Sequence, residues 1–128
     1  VFETEMLLAE FRGHTKTIWS VSFSKSGYFF LSGSADKTIK LWSTDDSIAQ
    51  RVFVGHSEDV TKVDFMKNPD LIASASDDKT VRIWNTFNTQ CINVIGILLR
   101  FSLLIIRLSI LNQVFQEDTL QFATAQVN

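Results

Sequence analysis

Apolar residues in this chain fall in short runs separated by turn residues, and the same succession of runs occurs twice. Trp19, Val21 and Phe23 alternate with Ser20 and Ser22, a period of two that predicts a strand with those three side chains on one face. Ser24-Lys25-Ser26-Gly27 reads as a turn, with Gly27 free to adopt positive φ. Tyr28 to Ser32 reads as a second strand, apolar enough to be buried on both faces. Ala35-Asp36-Lys37 closes a tight hairpin into Thr38 to Trp42, where Ile39 and Leu41 share a face, and Ile48 to Val54 makes a fourth strand. Four more strands follow in the same order at Val60 to Phe65, Leu71 to Ser74, Thr80 to Trp84 and Gln90 to Ile95. In the second set the first turn is Lys67-Asn68-Pro69-Asp70, with Pro69 where no ladder N–H is required.

The two sets are one module written twice, 42 positions apart. Gly13-His14 returns as Gly55-His56. Ser34-Ala35-Asp36-Lys37-Thr38-Ile39-Lys40-Leu41-Trp42 returns as Ser76-Asp77-Asp78-Lys79-Thr80-Val81-Arg82-Ile83-Trp84. A fixed period of roughly 20–50 residues marks a repeat architecture, in which each unit buries its faces against its neighbours. On these words the chain resembles the WD40 repeat. The resemblance implies an all-β fold: two four-stranded antiparallel blades of a β-propeller, followed by an apolar segment outside it. The expected division is 1–11 as the remnant of a preceding blade, with Leu7 to Phe11 as its fourth strand. Residues 12–54 and 55–95 are the two repeats, and 96–128 a divergent tail. Ser43 and Asn85 follow the two tryptophans where the family's name has Asp, a position that varies among its members.

The resemblance also implies a hydrogen-bonded set of His, Ser, Asp and Trp in each blade: His14, Ser32, Asp36 and Trp42, then His56, Ser74, Asp78 and Trp84. The physics agrees, since a buried carboxylate needs donors and a buried indole needs an acceptor. A Ser/His/Asp combination also suggests a hydrolase triad. Its occurrence in both units, each time with a Trp attached, argues for structure instead. Partners of propellers bind at face loops and at the channel mouth. By analogy the candidates are Lys16, Thr17, Trp19 and Ala35 in the first unit, and Glu58, Asp59, Thr61 and Asp77 in the second. Trp19 is the expected anchor, because exposed Trp is enriched among residues that dominate binding energy, though packing beside Val21 and Phe23 is the competing role.

The run Gly27 to Gly33, continuing at Leu41-Trp42-Ser43-Thr44-Asp45, is similar to one blade of the WD40 subunit of the general transcription factor TFIID. Arg51 to Thr61 is similar to the junction with its next blade. That resemblance implies a non-catalytic nuclear scaffold, with histone-fold transcription-factor subunits as partners in TFIID and in a related histone-acetyltransferase coactivator. The alternatives are a WD40 adaptor of another machine, such as a ubiquitin-ligase substrate receptor or a splicing subunit, in nucleus or cytoplasm, and a membrane-tethered protein.

Composition adjusts this picture. The chain has 128 residues, 45% of them hydrophobic and 20% charged, which is a folding composition. A net charge of −2 offers no bulk attraction to nucleic acid or to anionic lipid. The single cysteine, Cys91, has no internal partner, and no zinc spacing, phosphate loop or nucleophile elbow occurs. No cofactor, metal or small-molecule substrate is expected. Residues 94–111 carry Arg100 and Arg107 as their only charges and break the repeat, with no Gly-His, turn or Trp in register after residue 95. Eighteen residues are just short of the roughly 20 of a membrane span, and each central Arg would cost about 2.5–3.5 kcal/mol on insertion. Two different origins also fit the break: a piece of an unrelated domain, or sequence introduced by a retained intron or a faulty gene model.

Overall fold

The computed structural model describes residues 7–96, which form eight strands. The first sheet holds β1 (Ile18–Phe23), β2 (Phe29–Ser34), β3 (Thr38–Ser43) and β4 (Asp46–Val54). The second holds β5 (Val60–Phe65), β6 (Leu71–Ser76), β7 (Thr80–Asn85) and β8 (Cys91–Gly96). Each is an antiparallel meander in chain order. Short connections select this topology, since antiparallel neighbours can be joined by a tight turn. Gly27 takes a φ of 75° in the β1–β2 turn, and Lys37 and Lys79 take 72° and 66° in the two equivalent hairpins. In the β5–β6 turn, the Asn68 side chain accepts from the N–H of Asp70 at 3.0 Å, leaving Pro69 outside the ladder.

The sheets stack face to face, with β5 lying against β1 and β2. One apolar cluster spans the seam: Leu31, Ile39, Leu41 and Phe53 from the first sheet meet Val60, Val63, Phe65, Ile72 and Trp84 from the second. Gly33 makes the approach possible. A Cβ there would lie 2.8 Å from Val60 Cγ1 and 2.9 Å from Val63 Cγ1. Polar contacts cross the same seam: Ser22 Oγ donates to Asp64 Oδ1 at 2.8 Å, and the N–H of Val63 donates to Ser20 Oγ at 3.2 Å.

The repeat shows what the other face of the first sheet is built for. Val21 is 50% exposed and Phe23 62%, whereas their equivalents Val63 and Phe65, which meet the first sheet, are 1% and 9% exposed. These positions are written to be covered by a preceding sheet. The second sheet has its own cluster of buried residues, including Ala73, Val81, Ile83 and Ile95.

Three expectations need correction. Trp19, Val21 and Phe23 do not simply alternate, because the β1–β2 register shifts between Ile18 and Ser20, making Trp19 the extra residue of a bulge. Bulges re-aim a side chain, and the same shift recurs at Thr61, between Val60 and Lys62. Leu7 to Phe11 is not a strand, since no neighbouring strand pairs with it among the described residues. Phe11 is nonetheless placed as in a fourth strand: its ring meets Trp42 at 5.7 Å, as Phe53, 42 residues on, meets Trp84 at 5.8 Å. Finally, the strand expected over Gln90 to Ile95 is β8 at Cys91–Gly96, one residue further along, with Gly96 opposite Thr80. The apolar run is therefore strand of the second sheet at its start, and the remaining residues of the 94–111 segment and the tail lie outside the described residues.

Candidate functional site: the repeated tetrads and the seam between the sheets

Each hairpin presents a carboxylate to the histidine that precedes its sheet. In the first, His14 Nδ1 lies 2.8 Å from Asp36 Oδ2, His14 Nε2 lies 2.6 Å from Ser32 Oγ, and Trp42 Nε1 donates to Ser32 Oγ at 2.8 Å. In the second the same three distances, His56 to Asp78, His56 to Ser74 and Trp84 to Ser74, are 2.8, 2.7 and 2.8 Å. One tautomer satisfies every donor: indole N–H to serine oxygen, serine O–H to imidazole Nε2, imidazole Nδ1–H to carboxylate. The structure thus brings all eight residues of the two sets within bonding distance. It adds Thr38 and Thr80, whose hydroxyls and N–H groups donate to Oδ1 of Asp36 and Asp78, and the N–H groups of Thr15 and Ser57, which donate to Oδ2. The repeated word Asp-Lys-Thr at 36–38 and 78–80 is the sequence signal for the threonines.

These donors decide the charge of the set. Burial pushes the Asp36 carboxyl up, but hydrogen bonds from the Thr38 side chain, His14 and the backbone outweigh it and hold its pKa at about 2. Asp78 is likewise held at about 2 against burial by Thr80, His56 and the N–H of Ser57. Burial pushes His56 below its ordinary value, helped by the charge of Arg82 and opposed by Asp78. At neutral pH the His56–Asp78 contact is therefore a hydrogen bond from a neutral ring. Ser32 and Ser74 are each 2% exposed and each already accepts from an indole, so neither hydroxyl is open to a substrate.

The glycine of each Gly-His pair has a steric reason. A Cβ on Gly13 would stand 3.0 Å from Trp42 Cη2, and one on Gly55 would stand 2.9 Å from Trp84 Cη2. The ring of His56 also meets Trp84 edge-on at 6.0 Å, as His14 meets Trp42 at 6.4 Å.

The candidate partner residues gather at the end of the sheets where the β2–β3 and β6–β7 hairpins turn. Lys16 and Thr17 precede β1 and bond the hairpin: the Lys16 carbonyl accepts from Ser34 Oγ, and that of Thr17 from the N–H of Ala35. Glu58 and Asp59 do the same for Ser76 Oγ and the N–H of Asp77. Lys16, Thr17, Glu58 and Asp77 are exposed; Ala35, Asp59 and Thr61 are half-buried. Thr61 is engaged internally, donating to the Ala75 carbonyl at 3.3 Å. Trp19 is 56% exposed, and its indole N–H donates across the seam to Asp59 Oδ2 at 3.0 Å. The bond joins two candidates from different sheets and holds a large aromatic surface in one orientation. No group of three or more His, Cys, Asp or Glu side chains among the described residues is placed to hold a metal.

Comparison with known proteins agrees with this geometry. The family model for the WD domain, G-beta repeat, matches residues 5–43 and 48–85. The nuclear distribution protein PAC1 of Candida tropicalis is 50% identical over 36 residues, covering 28% of this chain and 7% of that protein. Eukaryotic translation initiation factor 3 subunit I of Meyerozyma guilliermondii is 49% identical over 35 residues, covering 27% of this chain and 10% of that protein. The matched stretches span a small part of the length of these relatives.

Proposed function

Because this chain belongs to the WD40 family of WD domain, G-beta repeats, we propose that it is a non-catalytic scaffold that binds other proteins through the hairpin end of its stacked blades. The observation that carries this reading is Trp19, exposed yet fixed by Asp59 at the seam. A rigid aromatic anchor loses little side-chain entropy on binding, and such residues dominate interface energies. The sealed serines support the non-catalytic part, since a nucleophile must reach its substrate.

More narrowly, we propose a WD40 subunit of TFIID and histone-acetyltransferase coactivator complexes, acting in the nucleus on histone-fold partners. The wording of Gly27 to Gly33 and Arg51 to Thr61 supports it. The second reading is an adaptor of another machine. It is favoured by the two relatives, whose names belong to nuclear distribution and to translation initiation. A membrane tether through residues 94–111 has less support, because β8 takes the start of that run; no helix among the described residues is long and apolar enough to cross a membrane.

The test is affinity purification of the tagged protein from its own cells, with and without Trp19→Ala. The transcription reading expects histone-fold TFIID subunits in the wild-type eluate and their loss, by tenfold or more, with Trp19→Ala. Recovery of a different complex in their place overturns the nuclear assignment and keeps the scaffold. An eluate free of stoichiometric partners overturns both.

A further inference from the structure

We propose that the groove between the two blades, at the end opposite the hairpins, docks an acidic peptide segment carrying bulky apolar side chains. The groove encloses about 560 Å³ and lies between the β1–β2, β5–β6 and β7–β8 turns. Its volume is in the range of sites that bind ligands through shape and a few polar contacts. Leu41 and Phe65 are buried beneath it, while Phe29 and Phe87 stand exposed in its walls. Exposed aromatics gathered around a concavity mark interaction surfaces.

Charge selects the occupant. Lys25, Lys67 and Arg51 line the groove, and among the described residues Asp70 is the only acid with them. This excess runs against a chain whose net charge is −2. None of the three cations is in an ion pair among the described residues; Arg51 makes only a 2.8 Å bond to the carbonyl of Gln50. Lys25 and Lys67 occupy the same place in successive repeats, so each blade brings one cation to its side of the opening. Carboxylates beside apolar anchors satisfy both the cations and the aromatic walls. A polynucleotide fits less well, since the chain as a whole is acidic and three cations do not make a backbone track. This surface is separate from the Trp19–Asp59 seam, and its test does not depend on which complex the protein serves.

The experiment measures fluorescence anisotropy of the full chain with a short fluorescein-labelled peptide in which Leu and Phe alternate with Asp and Glu. Its controls are the Asn/Gln counterpart of that peptide and oligothymidylate as competitor. The expected result is saturable binding to the acidic peptide that weakens with salt. Binding falls at least tenfold with Lys25→Glu combined with Lys67→Glu, and about tenfold with Phe87→Ala, since each factor of ten corresponds to about 1.4 kcal/mol. All three side chains are exposed, and an unchanged urea midpoint confirms intact folding; should the double variant unfold, Arg51→Ala and Phe87→Ala give the same reading. Equal binding of the neutral peptide, unchanged affinity in the variants, or displacement by oligothymidylate at matched charge overturns the proposal.

Discussion

Replacing Gly33 with alanine tests whether the seam is set by backbone approach. Gly33 sits in β2 with backbone angles open to any residue, so on conformational entropy alone Gly33→Ala would stabilise by about 0.4–1 kcal/mol. The second repeat carries Ala75 at the equivalent place, so the strand itself accommodates a Cβ. What opposes the substitution is the neighbouring sheet. The new methyl would stand 2.8 and 2.9 Å from two valine carbons and 3.4 Å from the carbonyl oxygen of Val60. Val60 and Val63 are fully buried and, being β-branched, have little rotamer freedom with which to yield. Overpacking of this kind costs about 1–3 kcal/mol. The steric cost exceeds the entropic gain, giving a net loss of about 1–2 kcal/mol. Urea unfolding followed by tryptophan fluorescence reads this directly. With a slope of about 2 kcal/mol per molar, the midpoint falls by roughly 0.5–1 M. Val60→Ala in the same chain removes the closest contact, so the double mutant should be more stable than the sum of the two single effects predicts by at least about 0.5 kcal/mol. A midpoint that rises with Gly33→Ala, or singles and double that simply add, would refute the reasoning.

Ser74→Ala removes the acceptor of Trp84 and the partner of His56 at once, both buried; urea titration should show a loss of about 2–4 kcal/mol. Acid should weaken the fold in two steps. His56 has a folded pKa below its ordinary value, so the unfolded chain takes up that proton first and stability begins to fall as pH drops below about 6.5. Asp36 and Asp78, held at about 2 against 3.8, each contribute about 1–2 kcal/mol above pH 4 once solvent screening is allowed for, lost as pH falls from about 4 to 2; thermal melts across pH 7 to 2 follow both steps. Lys79→Gly relieves a non-glycine φ of 66° and should raise the melting midpoint, by about 0.5–1 kcal/mol in stability.

The strands are legible in the sequence because each is written twice, so a pattern ambiguous in one copy is settled by the other. The tetrads are implied by the WD40 resemblance that the duplication carries, and the positive φ of Gly27 by its turn. What the wording does not reveal depends on where one sheet sits against the other. The bond of Trp19 to Asp59 and the Ser22–Asp64 contact pair residues 40 and 42 positions apart, and no local period encodes such a pairing; the bulge that re-aims Trp19 is set by the register between β1 and β2. The groove is illegible for a related reason: Lys25 and Lys67 are ordinary surface lysines until two turns from neighbouring blades meet beside Arg51. Leu7 to Phe11 fails as a strand because strand character in these residues is lent by a partner.

The face bearing Val21 and Phe23 has a consequence for assembly. The contact between the blades is heterologous: the patch that one blade gives differs from the patch the other receives. Interfaces of that kind have no self-complementary dimer. Applied again and again, the operation that carries the first blade onto the second either returns to its start as a ring or continues as an open filament. Shielding of Val21 and Phe23 thus takes a neighbour that presents the receiving patch, an adjacent blade in either kind of array. An array that does not close leaves one such apolar face uncovered at its end, and that face can receive a further copy.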